Sequence, residues 1–351
     1  IPAERFRLAA SLDAPVGRLL ERPMLRTVLP PAFLIVFLIC LTSFAVALTL
    51  GGGPRATTVE LAIYQALRFD FDLGRAAMLA SIQFGLCSIA AALAWRMTAV
   101  DGFGAGLDRS VDRWDGSRWG DAVVIALAAT FLLVPLIMVI VRGVPGLLEL
   151  PVDILRAALR SVTIAIISAA LCIGLTLALA LRGGRIVGLV GVLPLASSSL
   201  VVGTGLFLLV YPIVNPAKLA LVVTALVNAV LALPFALRSV APAVDKITSD
   251  YARLGAILDM STWVWTTRVI LPRLRRPLGF AAGLAAALSM GDLGVIALFA
   301  GDAQETLPLA MYRLMGAYRM DAAAGAALVL LVLSFALFWI CDRGGHVDAD
   351  L

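Results

Sequence analysis

The sequence predicts an all-α polytopic membrane protein, on two observations. Of its 351 residues, 61% are hydrophobic even before the 30 glycines are counted, against roughly 45 to 50% including glycine in a soluble globular chain. The apolar residues also fall into runs. Crossing a bilayer core of about 30 Å takes about 20 residues of helix at 1.5 Å each, and the segments near 28–50, 76–95, 120–141, 157–181, 186–210, 217–237, 279–300 and 322–341 are of that length. Charged residues are only 15% of the chain, and the formal charge of +5 is scattered along it. That is too thin a balance for a nucleic-acid surface.

Taken in order, Ile1-Pro2-Ala3-Glu4-Arg5 is neither an initiator methionine nor a basic segment leading straight into an apolar stretch. No signal peptide is expected there, and the sequence is expected to begin partway into a longer protein. Residues 1–100 hold a cytoplasmic motif and two spans, 101–119 form a linker, 120–341 hold six spans, and 342–351 form a tail. Gly51-Gly52-Gly53-Pro54 offers turn chemistry in a polar loop, not a strand-to-helix phosphate cradle, so ATP chemistry is expected on another chain. Cys40, Cys87, Cys172 and Cys341 lack metal-ligand spacing and read as small packing residues, and His346 reads as a solvated tail residue.

Basic residues orient the spans. One set of loops carries Arg5, Arg7, Arg18, Arg22, Arg26, Arg96, Arg109, Arg113, Arg118, Arg182 and Arg185, the cluster from Arg238 to Arg276, and Arg343. The other set holds far fewer: Arg55, Arg68, Arg75, Arg142, Arg156, Lys218, Arg313 and Arg319. Both ends and the 238–276 segment are therefore expected inside, with 51–75, 142–156, 211–216 and 301–321 outside. Arg160 is expected to snorkel from a helix end, whereas Asp292, a charge within an apolar run, is expected to face a cavity or partner.

An internal duplication is also expected. Arg7-Leu8-Ala9-Ala10-Ser11-Leu12-Asp13 matches Arg253-Leu254-Gly255-Ala256-Ile257-Leu258-Asp259, 246 positions later. Both copies run through an amphipathic stretch to a basic exit marked by Pro23 or Pro272 and then to a span, a polar loop and a second span. The loops echo one another, Leu61 to Leu67 against Leu309 to Met315. Repeats of this kind decide architecture: two spans follow each motif and four precede the second, so equivalent halves would have six spans each, with four preceding residue 1.

Residues 251–271 are too interrupted to span and predict two short helices joined at Asp259-Met260-Ser261-Thr262, with Ser261 or Thr262 capping the second and Pro272 ending it. Such an element either seats in a groove of a soluble partner or lies on the lipid surface. Two copies favour a partner that binds twice.

The segment resembles the coupling loop of type I ABC importer permeases, whose pattern runs Glu-Ala-Ala, three residues, Gly, nine residues, Ile or Val, one residue, Leu-Pro. This chain keeps Leu258, Ser261, Trp263, Val269, Leu271 and Pro272, with Arg253-Leu254-Gly255 for Glu-Ala-Ala and Asp259 for the central glycine. The Arg-Leu openings and the stretch from Leu48 to Leu67 are similar to thiamine-importer permeases. The resemblance implies a type I importer transmembrane fold of duplicated six-helix halves, with the first half truncated here, in a bacterial inner membrane. It implies two copies of a cytoplasmic ATPase holding ATP and magnesium, a periplasmic substrate-binding protein, and no catalytic site or cofactor on this chain. Arg7, Leu8, Leu12, Asp13, Arg253, Leu254, Gly255, Leu258, Asp259 and Ser261 are carried over as ATPase-coupling residues.

The candidate pathway residues are Ser197, Ser198, Ser199, Thr204, Asn228, Ser289 and Asp292, with Tyr211 and Trp95 as possible aromatic walls for a cation. Asn228 could equally hydrogen-bond between helices, and the serine run could equally mark small-residue packing or an interrupted helix. Competing functions are a permease for ferric iron or another small solute, and a nontransporting scaffold or channel. A membrane-embedded enzyme is disfavoured by the lack of a histidine cluster or paired intramembrane carboxylates in the sequence.

Overall fold

A computed structural model describes residues 11, 12, 15, 18, 22–51, 57–97, 118–184, 191, 193–301 and 304–345. The fold is helical: α1 (Arg22–Leu41), α2 (Phe44–Leu50), α3 (Val59–Arg68), α4 (Leu73–Met97), α5 (Arg118–Gly146), α6 (Val152–Arg182), α7 (Ser199–Val210), α8 (Pro216–Ile257), α9 (Arg275–Gly291), α10 (Gly294–Phe299), α11 (Leu307–Gly316) and α12 (Met320–Gly345). Among the described residues, six helical stretches are long and apolar enough to cross a membrane, or seven if the bent pair α1/α2 counts as one span.

The fifth expected span, 186–210, is not a continuous described helix. A 3-10 turn at Leu193–Ala196 precedes α7, which has only 12 residues. At 1.5 Å per residue it is about 18 Å long, little more than half the hydrocarbon thickness. The start of α7 is set by Ser198, whose side chain accepts a hydrogen bond from the Val201 N–H at 3.1 Å. The span at 28–50 is likewise broken: α1 and α2 meet at 53°, and at the bend the Thr42 hydroxyl donates to the Leu38 carbonyl at 2.9 Å.

Two of the packed cores among the described residues bear on the site. One gathers Phe44, Tyr64, Leu67, Leu200, Val227, Val295, Ile296 and Phe299 from α2, α3, α7, α8 and α10. The other gathers Ala165, Cys172, Leu233, Val240, Leu274, Ala285 and Met290 around α6, α8 and α9. Cys87 and Cys172 pack in the interior, whereas Cys40 is exposed. The central part of α5 buries no residue fully, as suits a helix largely bathed in lipid, while Ala129, Leu136 and Val139 are partly covered. One arrangement occurs twice, namely a broken apolar helix, a ten-residue helix and a long final helix: α1/α2, α3 and α4, then α9/α10, α11 and α12.

The longest element, α8, begins at Asn215, whose side chain caps the Ala217 N–H at 3.0 Å, with Pro216 in the first turn. Its 42 residues run well past the expected span end at 237, so the first half of the 238–276 segment is a continuation of the same helix.

Candidate functional site

A cavity of about 250 Å³ lies where the helix breaks converge, and Ser197, Ser198, Ser199, Asn228, Ser289 and Asp292 all line it. Leu38, Thr42, Leu231, Phe235 and Arg238 complete much of the wall. Asn228 stands 12 residues into α8, about 18 Å along its axis and so near mid-depth of a 30 Å core, while Arg238 carries the same wall about 15 Å further along the helix. Thr204 is buried in α7 and does not line this cavity.

Each polar side chain has a structural reason for its position. Asn228 Nδ2 donates to Ser289 Oγ at 3.0 Å, the Ser289 hydroxyl donates to Ser168 Oγ at 3.1 Å, and the Ser168 hydroxyl donates to the Ala225 carbonyl at 3.1 Å. This chain joins α6, α8 and α9, so Asn228 both links helices and lines the cavity. Asp292 sits at the break between α9 and α10, where Oδ1 accepts from the Gly294 N–H at 3.4 Å and the Ser199 hydroxyl lies beside the carboxyl. Gly294 packs directly against Ser199, and a side chain there would overlap the serine oxygen. Asp292 Oδ2 has no hydrogen-bond partner.

A second cavity, of about 230 Å³, lies at the other end of α7. Phe207 stacks on Tyr211 with centroids 5.8 Å apart, and Phe71 and Phe299 approach these rings edge-on at 5.4 Å. Tyr211 therefore belongs to this aromatic mouth and not to the serine-lined cavity. Fully buried Leu200, Val295 and Ile296 form a packed layer in the helices that run between the two. The side chain of Trp95 lies outside the described residues.

The sequence reading missed Glu60 and Gln83. Gln83 Nε2 donates to Glu60 Oε1 at 2.5 Å and more weakly to the Leu41 carbonyl at 3.4 Å, tying α3 and α4 to the bend after α1. The two residues are 1% and 0% exposed. Burial pushes the Glu60 carboxyl up to about 7, with the neighbouring Ser198 hydroxyl and Gln83 amide pulling the other way. The signal was available: Glu60, Ile63, Tyr64 and Leu67 fall at helical spacing on one buried face. It lay in a segment that reads as a polar loop.

At the far end of α8 the chain makes an elbow. Asp259 adopts φ +44°, Met260 N–H donates to the Gly255 carbonyl at 3.1 Å, and Ser261 Oγ caps the Val264 N–H at 3.4 Å. The position that the coupling pattern fills with glycine thus has a left-handed backbone, which Asp tolerates better than most residues. Thr262–Val264 leads into π-helix at Trp265–Ile270. Pro272 does not end this element as expected: Leu271–Arg273 stays helical, because a proline in a first turn sacrifices no needed N–H, and the interruption falls at Leu274. Arg273 stacks over the Tyr251 ring at 4.3 Å, pinning the returning segment to α8.

Arg253, Leu254, Leu258, Asp259 and Ser261 are exposed on this elbow, along with Ile257 and Trp263, and Gly255 is half-buried against Trp265. In the first copy Leu12 is exposed, while Arg7, Leu8 and Asp13 lie outside the described residues. Among the described residues no cluster of three His, Cys, Asp or Glu side chains could hold a metal ion.

No family profile matches the chain. It is 38% identical over 373 residues to the thiamine transport system permease protein ThiP of Salmonella typhimurium, covering 100% of this chain and 69% of that protein. It is 38% identical over 362 residues to the protein of the same name from Brucella abortus, covering 98% of this chain and 66% of that one. For the Haemophilus influenzae protein the figures are 33% over 372 residues, with 100% and 68% covered.

Proposed function

This chain belongs to the family of thiamine transport system permeases, and on that premise we propose that it is the membrane subunit of an ATP-driven importer that moves thiamine to the cytoplasm from a periplasmic binding protein. The observation that carries the proposal is that a single helix, α8, bears both Asn228 on the cavity and the exposed elbow residues Arg253, Leu254 and Ile257. A soluble motor acting on the elbow would act on the cavity wall through one continuous element.

Ile257 is 78% exposed and Trp263 77%, on an elbow beyond the expected span end. Apolar surface of this kind calls for a cover, which we assign to a cytoplasmic ATPase. The paired helix arrangement and the matching Arg7–Asp13 segment support two such subunits, one for each half of a duplicated permease. Both ends of the chain then lie on the cytoplasmic side of a bacterial inner membrane. ATP and magnesium belong to the partner, and this chain contributes a two-state gate.

The serine-lined cavity and the aromatic mouth lie at opposite ends of α7, with packed residues between them. That suits alternating access, in which one side opens as the other seals. Asp292, with an unpartnered oxygen at the cavity, is the group we assign to the thiazolium charge. Uptake of radiolabelled thiamine into cells, compared with a ferric chelate and with Asp292→Asn at matched surface abundance, tests the assignment. Thiamine uptake that falls at least tenfold in the variant supports it. Uptake of the chelate alone replaces the substrate, and an unchanged variant removes Asp292 from the pathway.

A further inference from the structure

We propose that Glu60 is a charge-selecting residue of the pathway: from behind the Ser198 wall it joins Asp292 in favouring a cationic solute over a neutral one of the same shape. This rests on the thiamine reading and adds a residue that does not itself line the cavity.

The matching place in the other helix set carries no carboxylate. Glu60 is the second residue of α3, and the matching ten-residue helix α11 has Pro308 at its second position. A carboxylate removed from water is costly unless a positive charge or several donors meet it. Glu60 has the neutral amide of Gln83, and among the described residues no ion pair reaches either Glu60 or Asp292.

Four buried oxygens around this cavity and behind its wall have no hydrogen-bond partner: Glu60 Oε2, Gln83 Oε1, Asn228 Oδ1 and Asp292 Oδ2. All four are acceptors, so what would satisfy them is positive charge or a donor. Ser198 stands beside Glu60, and Ser199, the next residue, stands beside Asp292. Both serines line the cavity. A cation at the serines is thus flanked by two acids, one from α3 and one from the α9/α10 break.

Charge acts at a distance in a poorly solvated interior, so Glu60 needs no contact with the solute to bias the site. A neutral isostere gains nothing from it. The lining residue Arg238 lies ten residues beyond Asn228 along α8, about 15 Å away, and leaves the serine end as the region suited to a cation.

Equilibrium binding at pH 8, above the point to which burial raises the Glu60 carboxyl, tests this on the full-length permease with its ATPase in lipid nanodiscs, using two radiolabelled probes: thiamine, and the neutral analogue in which thiophene replaces the thiazolium ring. Wild type is expected to hold thiamine more tightly than the analogue. Glu60→Gln is expected to weaken thiamine about tenfold while changing the analogue by less than about twofold, and Glu60→Asp to restore most of the difference. Equal weakening of both probes would reveal a structural role and overturn the proposal. So would an unchanged preference in Glu60→Gln, or no preference in wild type. Failure of the wild-type importer to take up thiamine, seen in the separate uptake assay, would instead remove the thiamine reading and this inference with it.

Discussion

Trp265 lies so close over Gly255 that a β-carbon on that glycine would stand 2.8 Å from Cζ3 of the indole. The contact closes the elbow after α8, because the two residues lie on opposite arms of the turn at Asp259. Gly255→Ala should pry the arms apart at a cost of about 1–3 kcal/mol, typical of overpacking. Retention of the ATPase on the affinity-purified permease is the measurement, and it should fall severalfold while permease abundance in the membrane holds.

The turn itself offers a cleaner test. Asp259 at φ +44° sits where L side chains are strained and glycine is not. Asp259→Gly should leave thermal stability equal or higher, and Asp259→Val should lower it by about 1–2 kcal/mol. Scanning fluorimetry of the purified protein would distinguish the two, and equal effects would argue against strain at this position.

Ser289 is the middle of the polar chain linking α6, α8 and α9. Ser289→Ala would leave the Asn228 amide buried without its best acceptor, at a cost of about 1–3 kcal/mol. Ser168→Ala should cost less, since the Asn228–Ser289 bond survives it. Reversal of that order in detergent unfolding would show that the network is not what holds these helices in register.

Glu60 links stability to pH. Its carboxyl is raised from 4.5 to about 7 by burial, so between those values the folded protein binds a proton that the unfolded chain releases. Stability should therefore decline as pH rises from about 4.5 to about 7 and stay lower above that window. Glu60→Gln mimics the neutral acid, and its unfolding temperature should lack this component, matching wild type near pH 5 and exceeding it at pH 8.

The parts legible in the sequence were those that hydrocarbon makes conspicuous. Serines 197 to 199, Asn228, Ser289 and Asp292 interrupt apolar runs, where a polar group needs a partner or a cavity, and the fold brings all six to one wall. Glu60 was hidden by its company: beside the glycines and Arg55, it reads as one more polar loop residue until its helical face is known. Hydropathy also counts apolar content without seeing hydrogen bonds. It therefore ran straight through the bend at Thr42 and through the 3-10 turn before α7, where local side-chain bonds redirect the chain.

The unbroken course of α8 has a mechanical consequence. From Asn228 to Ile257 it covers 29 residues, about 44 Å of stiff rod at 1.5 Å per residue, interrupted only by Pro234 and Pro242. Pivoting such a lever by about 5° about its Asn228 end sweeps the elbow through about 4 Å, so a modest stroke at the elbow becomes a small, well-defined rotation beside the cavity. The two prolines are the joints at which that stroke would be lost as bending, and stiffening either one would tighten the gearing between elbow and cavity.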